Sequence, residues 1–284
     1  MNFEELRKLI ITALFSDNLL FEQLVLKGGN AMSLVYGISA RVSLDLDFSL
    51  ETDFEDVGAV ESRMERVLVA RFATVGFTVF DVKLLPKPSE PEDDILPWWG
   101  GYELQFKLID DKLHRSYSPD TARIRREAFV LGPRQQRVFT VDLSKHEYCQ
   151  GKVRADLDDY TIYVYPPAMI ALEKLRAICQ QMEDYAPTGI TKRPRARDFF
   201  DIFTIVTKTE FRFDSPESLD LLAHIFAAKR VPLSLLGKVA KQRDFHRDDW
   251  PSVTATVAGP LKDFDFYFDF LLVQIEPLHS LWME

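Results

Sequence analysis

Cysteine and zinc-type motifs are scarce in this chain. The 284 residues include two cysteines, Cys149 and Cys179, which form no CxxC pair. Two separated cysteines cannot build a disulfide framework. The five histidines are scattered, and none belongs to an HExxH motif. The sequence therefore argues against a disulfide scaffold, a zinc finger and a zinc hydrolase.

Long apolar runs are also missing. No stretch reaches the length of about eighteen apolar residues that a membrane-spanning helix needs. The first residues, MNFEELRKLI, mix acidic and basic side chains and lack the apolar centre of a secretion signal. We expect a soluble, cytoplasmic protein with no membrane partner.

Basic residues are fewer than acidic ones: the chain has 35 lysines and arginines and 44 aspartates and glutamates. The formal net charge of −9 argues against a general nucleic-acid coat protein, because lysine and arginine neutralise the phosphates in such proteins. Local basic patches can still bind RNA, although solvated surface is the alternative for each. Two clusters are candidates: Arg115, Arg123, Arg125, Arg126, Arg134 and Arg137 in the first, and Lys192, Arg193, Arg195 and Arg197 in the second.

The order of periodic segments predicts an α+β protein. An opening helix is predicted over about Phe3 to Phe15. Strand-like runs rich in Phe, Val, Thr and Tyr follow in the first part of the chain, at FTVFDVKLL, YELQFKLI and QRVFTVDLS. From Pro166 onward the pattern becomes helical, with helix starts predicted at Pro167, Pro216 and Pro260. We predict a mixed α/β domain over residues 1–165 and an all-helical domain over residues 166–284, which contributes to the active-site cleft.

A glycine pair follows the first short apolar run. Leu24 to Leu26 lead into Lys27-Gly28-Gly29, and Asn30 is predicted to cap the next helix. Backbone N–H groups at such a turn form a seat for phosphate oxygens. The chain has no GxxxxGK[ST] motif, and a simple tight turn is the alternative.

Acidic residues alternate along the segment SLDLDFSL. In a strand, residues two apart share a face, so Ser43, Asp45 and Asp47 point together. Two carboxylates about 4 Å apart repel by roughly 4 kcal/mol at an effective dielectric near 20. Such a pair suits magnesium with a substrate phosphate, and the alternative is the polar face of a half-exposed strand.

A third acid has the same strand context. VFTVDLS places Asp142 opposite the apolar face of its strand, where it can complete a two-metal site for phosphoryl transfer. A second D-x-D, Asp263 and Asp265, has helical periodicity instead, with Phe264 and Phe268 four residues apart. We assign that segment to a helix without a functional role.

The helical half adds a lysine and two acids. In AMIALEKLRAICQQM, Lys174 lies off the face that carries Leu172, and an ordinary exposed lysine is the alternative. In RARDFFDIF, Asp198 is on the same side as Asp201. Arg197 and Asp201 have the spacing of a surface ion pair.

Together these motifs resemble a known family. KGGNAMSLVYG, RVSLDLDF, VDLS, LEKLRA and RARDFFDIF are similar, in order and spacing, to the AbiEii nucleotidyltransferase toxins of the DNA polymerase β-like superfamily. The resemblance extends from Lys27 to Asp201. It implies a polymerase β-like mixed sheet domain followed by a helical domain.

The resemblance also implies roles for particular residues. Lys27, Gly28, Gly29 and Ser43 would bind the triphosphate of an NTP, and Asp45, Asp47 and Asp142 would bind Mg²⁺, with two ions expected. Lys174 would neutralise triphosphate charge and Asp198 would organise the site. The catalytic set is then Asp45, Asp47, Asp142, Lys174 and Asp198.

For function, the resemblance implies a toxin of a bacterial toxin–antitoxin or phage-defence system. Its activity would be NMP transfer to the 3′ end of tRNA, and its partner a cognate antitoxin protein or antitoxin kinase. A phosphate on Ser43 would place negative charge beside the metal carboxylates and block NTP entry. The alternatives are transfer to a protein or a small hydroxylated compound, and a non-catalytic nucleotide-binding module.

Overall fold

The computed structural model describes residues 1–39, 45–89, 97–131, 135–185, 191–257 and 259–283. Within them, seven strands form one mixed sheet in the order β3-β4-β5-β2-β1-β7-β6. The strands are β1 Val25–Leu26, β2 Leu46–Ser49, β3 Phe77–Lys87, β4 Gly101–Asp110, β5 Phe139–Ser144, β6 Val153–Leu157 and β7 Tyr160–Val164.

The pairing of the central strands mixes both directions. β2 is parallel to β5 and β1 is parallel to β7. The pairs β1–β2, β3–β4, β4–β5 and β6–β7 are antiparallel. The β6–β7 hairpin is an addition to the predicted strands. Its polar exposed positions, such as Arg154 and Asp156, weaken the strand pattern in the sequence.

Helices surround the sheet and make up most of the chain after Tyr165. The α-helices are α1 Phe3–Phe15, α2 Asn18–Gln23, α3 Gly28–Asn30, α4 Val57–Ala73, α5 Asp111–Tyr117, α6 Thr121–Arg126, α7 Pro167–Cys179, α8 Ala196–Lys208, α9 Pro216–Ala228, α10 Arg243–Arg247, α11 Trp250–Thr254 and α12 Phe264–Ile275. Sheet and helices together confirm the α+β class.

Helix starts follow their capping residues. The Asn2 side chain accepts a hydrogen bond from the Glu5 N–H, and the Glu5 carboxylate accepts one from the Asn2 N–H, which fixes α1 at its predicted bounds. The predicted start of the last long helix at Pro260 is wrong. Asp263 caps α12 by accepting from the Phe266 N–H.

Asn30 is not the helix cap that the sequence predicted. The helix already begins at Gly28 and continues as a π-helical turn over Ala31–Val35. The Asn30 side chain accepts a hydrogen bond from the Arg7 guanidinium, at 2.9 Å, and donates to the backbone oxygen of Asp45. Asn30 therefore ties the glycine turn to α1 and to the acidic strand.

One continuous hydrophobic core joins the sheet to the later helices. It contains Phe48 of β2 and Val164 of β7 together with Leu172 of α7 and Phe199 of α8. Burial of such side chains contributes about 25 cal/mol per Å² of apolar area, so the packing of α7 and α8 on the sheet is strongly stabilised. The division at residues 165 and 166 stays a prediction.

Candidate active site in a charged cleft

A cleft of about 750 Å³ lies where the sheet meets α7 and α8. It brings together all the candidate residues that the structure describes: Lys27, Gly28, Gly29, Asp45, Asp47, Asp142, Lys174 and Asp198. Ser43, the remaining candidate, lies outside the described residues. Segments separated by more than a hundred positions in the sequence thus line one space.

Strand register sets two of the acids side by side. On the parallel strands β2 and β5, Asp47 is the direct partner of Asp142. Partners on adjacent strands lie about 4.8 Å apart and point to the same face. The alternation predicted for β2 is confirmed by the buried Leu46 and Phe48. Asp45 lies just before β2 and is exposed.

Electrostatics at Asp47 favour a bound cation. Burial raises the pKa of Asp47 to about 7, and the negative charges of Asp142 and Asp45 add to the increase, although Lys27 opposes it. A cation bound beside these carboxylates would reduce their mutual repulsion and would stabilise the ionised form of Asp47. Its oxygen donors are those that Mg²⁺ prefers, so the residues fit a divalent metal.

The complete ligand set stays a prediction. Among the described residues, no three His, Cys, Asp or Glu side chains are grouped closely enough to hold a metal ion. Asp47 and Asp142 are brought together by the sheet, whereas Asp45 adjoins the undescribed residues 40–44.

The glycine turn packs directly against the acidic strand. Gly28 has a φ of +67°, and a Cβ at this position would lie 3.1 Å from Asp47 Oδ2. The Lys27 N–H donates to the backbone oxygen of Asp47 at 3.0 Å. Only a residue without a side chain fits here comfortably, because both the left-handed φ and the close approach disfavour a Cβ.

Lys27 has its side chain in an ion cluster beside the cleft. Its Nζ lies 2.6 Å from Glu173 Oε1 and 3.7 Å from Glu147 Oε1. Arg176 bridges the same two glutamates, at 2.7 Å from Glu147 and 3.3 Å from Glu173. Burial lowers the pKa of Lys27, but these glutamates raise it above its usual value. Lys229 also contacts Glu147, at 3.5 Å.

Lys174 is buried, so the alternative of an ordinary exposed lysine is wrong. The residue is 9% exposed. Its Nζ lies 2.8 Å from Asp198 Oδ1 and 2.7 Å from Asp201 Oδ2. The helical wheel placed Lys174 off the apolar face, but α8 packs against that side of α7 and supplies both carboxylates.

The proposed surface pair between Arg197 and Asp201 is also wrong. Asp201 is 1% exposed and pairs with Lys174, whereas Arg197 donates to the Ser252 hydroxyl at 3.1 Å. Arg195 donates to the Asp198 carboxylate. Burial alone would raise the pKa of Asp198, but Arg195 and Lys174 hold it well below its usual value.

The two basic clusters differ in their surroundings. In the first cluster, Arg125 pairs with Asp81 at 2.8 Å and Arg123 lies over the Tyr117 ring at 4.0 Å. Arg134 lies outside the described residues. In the second cluster, Arg193, Arg195 and Arg197 line the cleft, which makes it the stronger candidate for binding phosphate.

Several charged residues of the cleft were not predicted to act there. They are Lys87, Glu147, Glu173, Arg176 and Lys229. Only Glu173 and Arg176 could have been found from the sequence. They are charged residues at i and i+3 in a largely apolar helix, and charges on a helix with buried residues on several sides need partners. The others depend on contacts between distant segments.

One family model and several solved structures are similar to this chain. The family model for the "Nucleotidyl transferase AbiEii toxin, Type IV TA system" matches residues 9–270. JHP933 from Helicobacter pylori, a solved structure, is 18% identical over 99% of this chain and 91% of its own, with a TM-score of 0.47. An antigenic nucleotidyltransferase-like protein from Paracoccidioides brasiliensis is 15% identical over 79% of this chain and 93% of its own, with a TM-score of 0.33.

No curated protein matches the chain significantly. Within the described residues, no helix combines the length and apolar character needed to cross a membrane. Since the family model covers most of the sequence, the chain belongs to the AbiEii nucleotidyltransferase toxin family of type IV toxin–antitoxin systems.

Proposed function

We propose that the protein is a magnesium-dependent nucleotidyltransferase. An acceptor hydroxyl attacks the α-phosphate of an NTP; the new bond joins that oxygen to phosphorus, pyrophosphate leaves, and the hydroxyl proton is released. The observation that carries this proposal is the direct pairing of Asp47 with Asp142 across β2 and β5, in a cleft that Lys174 and Arg195 also line.

The acids form the metal-binding side of the proposed site. Asp45, Asp47 and Asp142 would hold Mg²⁺, with two ions expected, and the metal would neutralise charge on the triphosphate and on the attacking oxygen. With its pKa raised to about 7, Asp47 is partly protonated near neutrality. Cation binding therefore requires release of the Asp47 proton.

A second group of residues would hold the triphosphate. We assign this role to the Lys27-Gly28-Gly29 turn, to Ser43 and to Lys174. Gly28 allows the backbone of the turn to approach Asp47 closely. Lys174 is fixed between Asp198 and Asp201, so its positive charge is preorganised, which is the arrangement that best stabilises a developing anion.

The acceptor we propose is the 3′ end of tRNA, in the bacterial cytoplasm and in a phage-defence context. Arg193, Arg195 and Arg197 line the cleft and provide positive charge for RNA phosphates next to the reacting end. The family implies an antitoxin partner, which we propose to be a protein or a kinase encoded with the toxin.

Label transfer tests this proposal. Full-length protein is incubated with Mg²⁺, total RNA and each of the four α-labelled NTPs in turn. We expect label in nuclease-sensitive RNA of tRNA size, and no label in EDTA. Protease-sensitive label, or label in a small compound, would instead support the other acceptors. Binding of NTP without any label transfer, with all four nucleotides, would leave only a nucleotide-binding module.

Regulation through Ser43 has its own test. A Ser43→Asp variant mimics the charge that an antitoxin kinase would add beside Asp45 and Asp47. We expect it to lose at least about tenfold in label transfer, because like charge opposes NTP entry, while Ser43→Ala keeps more activity. Equal activity of the two variants counts against this switch.

A further inference from the structure

Lys87 ends strand β3 and contacts a predicted metal ligand. Its Nζ lies 2.6 Å from Asp142 Oδ1 and 3.4 Å from Glu103 Oε2. Lys87 also lines the cleft. The ammonium group therefore occupies one oxygen of a carboxylate that the proposed function assigns to Mg²⁺.

The sheet explains why a cation is needed at this position. Glu103 of β4 is the direct partner of Asp142 on β5, and Asp142 is the direct partner of Asp47 on β2. Three carboxylates thus follow one another in a row across three adjacent strands. Like charges at directly opposite positions destabilise a sheet, and Lys87 compensates two of the three.

Lys87 differs from the other lysines of the cleft in its partners and in its exposure. Lys27 pairs with Glu173 at 2.6 Å, and Lys174 pairs with Asp198 at 2.8 Å. Both of those lysines are buried. The Lys87 side chain is 53% exposed. An exposed ion pair of this kind is weak, and a flexible lysine leaves it readily.

We propose that Lys87 is an internal competitor of the divalent metal for Asp142, and that it sets the metal concentration at which the site fills. This inference rests on the metal assignment of the proposed function. The Asp142 oxygen that accepts from Lys87 is withdrawn from the metal as long as the ion pair persists. Metal binding then has to displace the ammonium group into solvent.

A direct titration with Mn²⁺ tests the competition without any enzymatic readout. Free Mn²⁺ is measured by electron paramagnetic resonance with full-length protein and no nucleotide. We expect Lys87→Gln to bind Mn²⁺ about two- to fivefold more tightly, the range that an exposed ion pair supplies. Lys87→Arg, which keeps the charge, should stay close to the wild type.

Two controls separate this competition from a general change of charge. Arg193→Gln also removes a positive charge from the cleft lining, and we expect it to change the Mn²⁺ affinity by less than half as much. In an Asp142→Asn background, Lys87→Gln should have no effect, because the competing pair is already lost.

The outcomes distinguish this proposal from the proposed function. If the wild type binds Mn²⁺ and Lys87→Gln binds it equally or more weakly, the competition is refuted and the metal assignment stands. An equal gain in the Asp142→Asn background also refutes it. If neither protein binds Mn²⁺ at millimolar concentration, the metal assignment and the competition both fail.

Discussion

Two walls of the same cleft shift the pKa values of their carboxylates in opposite directions. The sheet wall is defined by Asp47, Asp142 and Lys87, which line the cleft, together with Glu103, which pairs with Lys87. The helix wall is defined by Lys174, Asp198 and Arg195, which line the cleft, together with Asp201, which pairs with Lys174. The pKa of Asp47 in the sheet wall is raised to about 7, because of burial and its acidic neighbours. The pKa of Asp198 in the helix wall is held well below its usual value by Arg195 and Lys174.

The difference lies in charge balance. The helix wall sets two buried acids against two cations, so its charges cancel internally. The sheet wall sets three acids against the half-exposed Lys87. Lys27 also acts on Asp47, but it is paired with Glu173 and Glu147, so negative charge remains on the sheet wall. Clustered acids with excess charge are typical of functional sites. We infer that the helix wall holds Lys174 in a fixed position for the triphosphate and that the sheet wall provides the cation site.

Removing the central cation of the helix wall should have the largest effect. Lys174→Met removes the shared partner of the buried Asp198 and Asp201, and removing one partner of a buried ion pair costs about 3–5 kcal/mol. We expect the free energy of unfolding, measured with urea at pH 7.5, to fall by this amount.

A compensated variant sharpens that result. Combining Lys174→Met with Asp201→Asn removes the uncompensated charge and keeps the pair between Asp198 and Arg195, and we expect it to recover more than half of the loss. A loss below about 1 kcal/mol in Lys174→Met alone would show that the helix wall is not a closed ionic unit.

Removing a negative charge from the sheet wall should raise the free energy of unfolding. The size of this gain should depend on pH. The folded protein keeps a proton on Asp47 up to about pH 7, whereas the unfolded chain loses it near pH 3.8. The raised pKa therefore stabilises the protein below pH 3.8, and this contribution is lost as the pH rises toward 7.

Asp47→Asn removes this dependence. We compare the free energies of unfolding of Asp47→Asn and the wild type in EDTA. From pH 4.5 to pH 8 we expect this difference to change by about 2 kcal/mol in favour of the variant, a figure that allows for the partial exposure of Asp47. The measurement is urea unfolding at both pH values. A difference between variant and wild type that does not change with pH would mean that Asp47 carries no excess charge.

The smallest effect is expected at the exposed end of the helix wall. Arg195→Gln removes one partner of Asp198 while Lys174 remains, so the stability loss should be about 1 kcal/mol. The lowered pKa of Asp198 stabilises the protein above its unfolded value of 3.8 and is lost in acid. We therefore expect acid unfolding to begin at a higher pH, and an unchanged acid midpoint would contradict this role.

Sequence reasoning was most reliable where periodicity is local. Alternation along LDLDFS and VFTVDLS placed Asp47 and Asp142 opposite the buried residues of their strands. Helical spacing correctly separated Asp263 and Asp265 from that pattern, since Asp263 caps α12. The family was identified by the order of several such motifs, each weak alone.

The partners of the cleft residues could not be predicted from local sequence patterns. The burial of Lys174 depends on α8 crossing the polar side of α7, and the role of Glu103 depends on the register between β4 and β5. Neither the crossing nor the register can be read from the segments themselves, because they depend on how the elements pack together.

Transfer of label from an α-labelled NTP to RNA tests the central claim most directly when two aspartate variants are compared with the wild type. Asp47→Asn removes a carboxylate from the sheet wall, whereas Asp263→Asn changes the other D-x-D and keeps a residue that caps helices well. We predict that Asp47→Asn loses more than about a hundredfold in rate and that Asp263→Asn retains wild-type activity. Full activity in Asp47→Asn, with label still incorporated in the presence of Mg²⁺, would contradict the assignment of the sheet wall as the catalytic site.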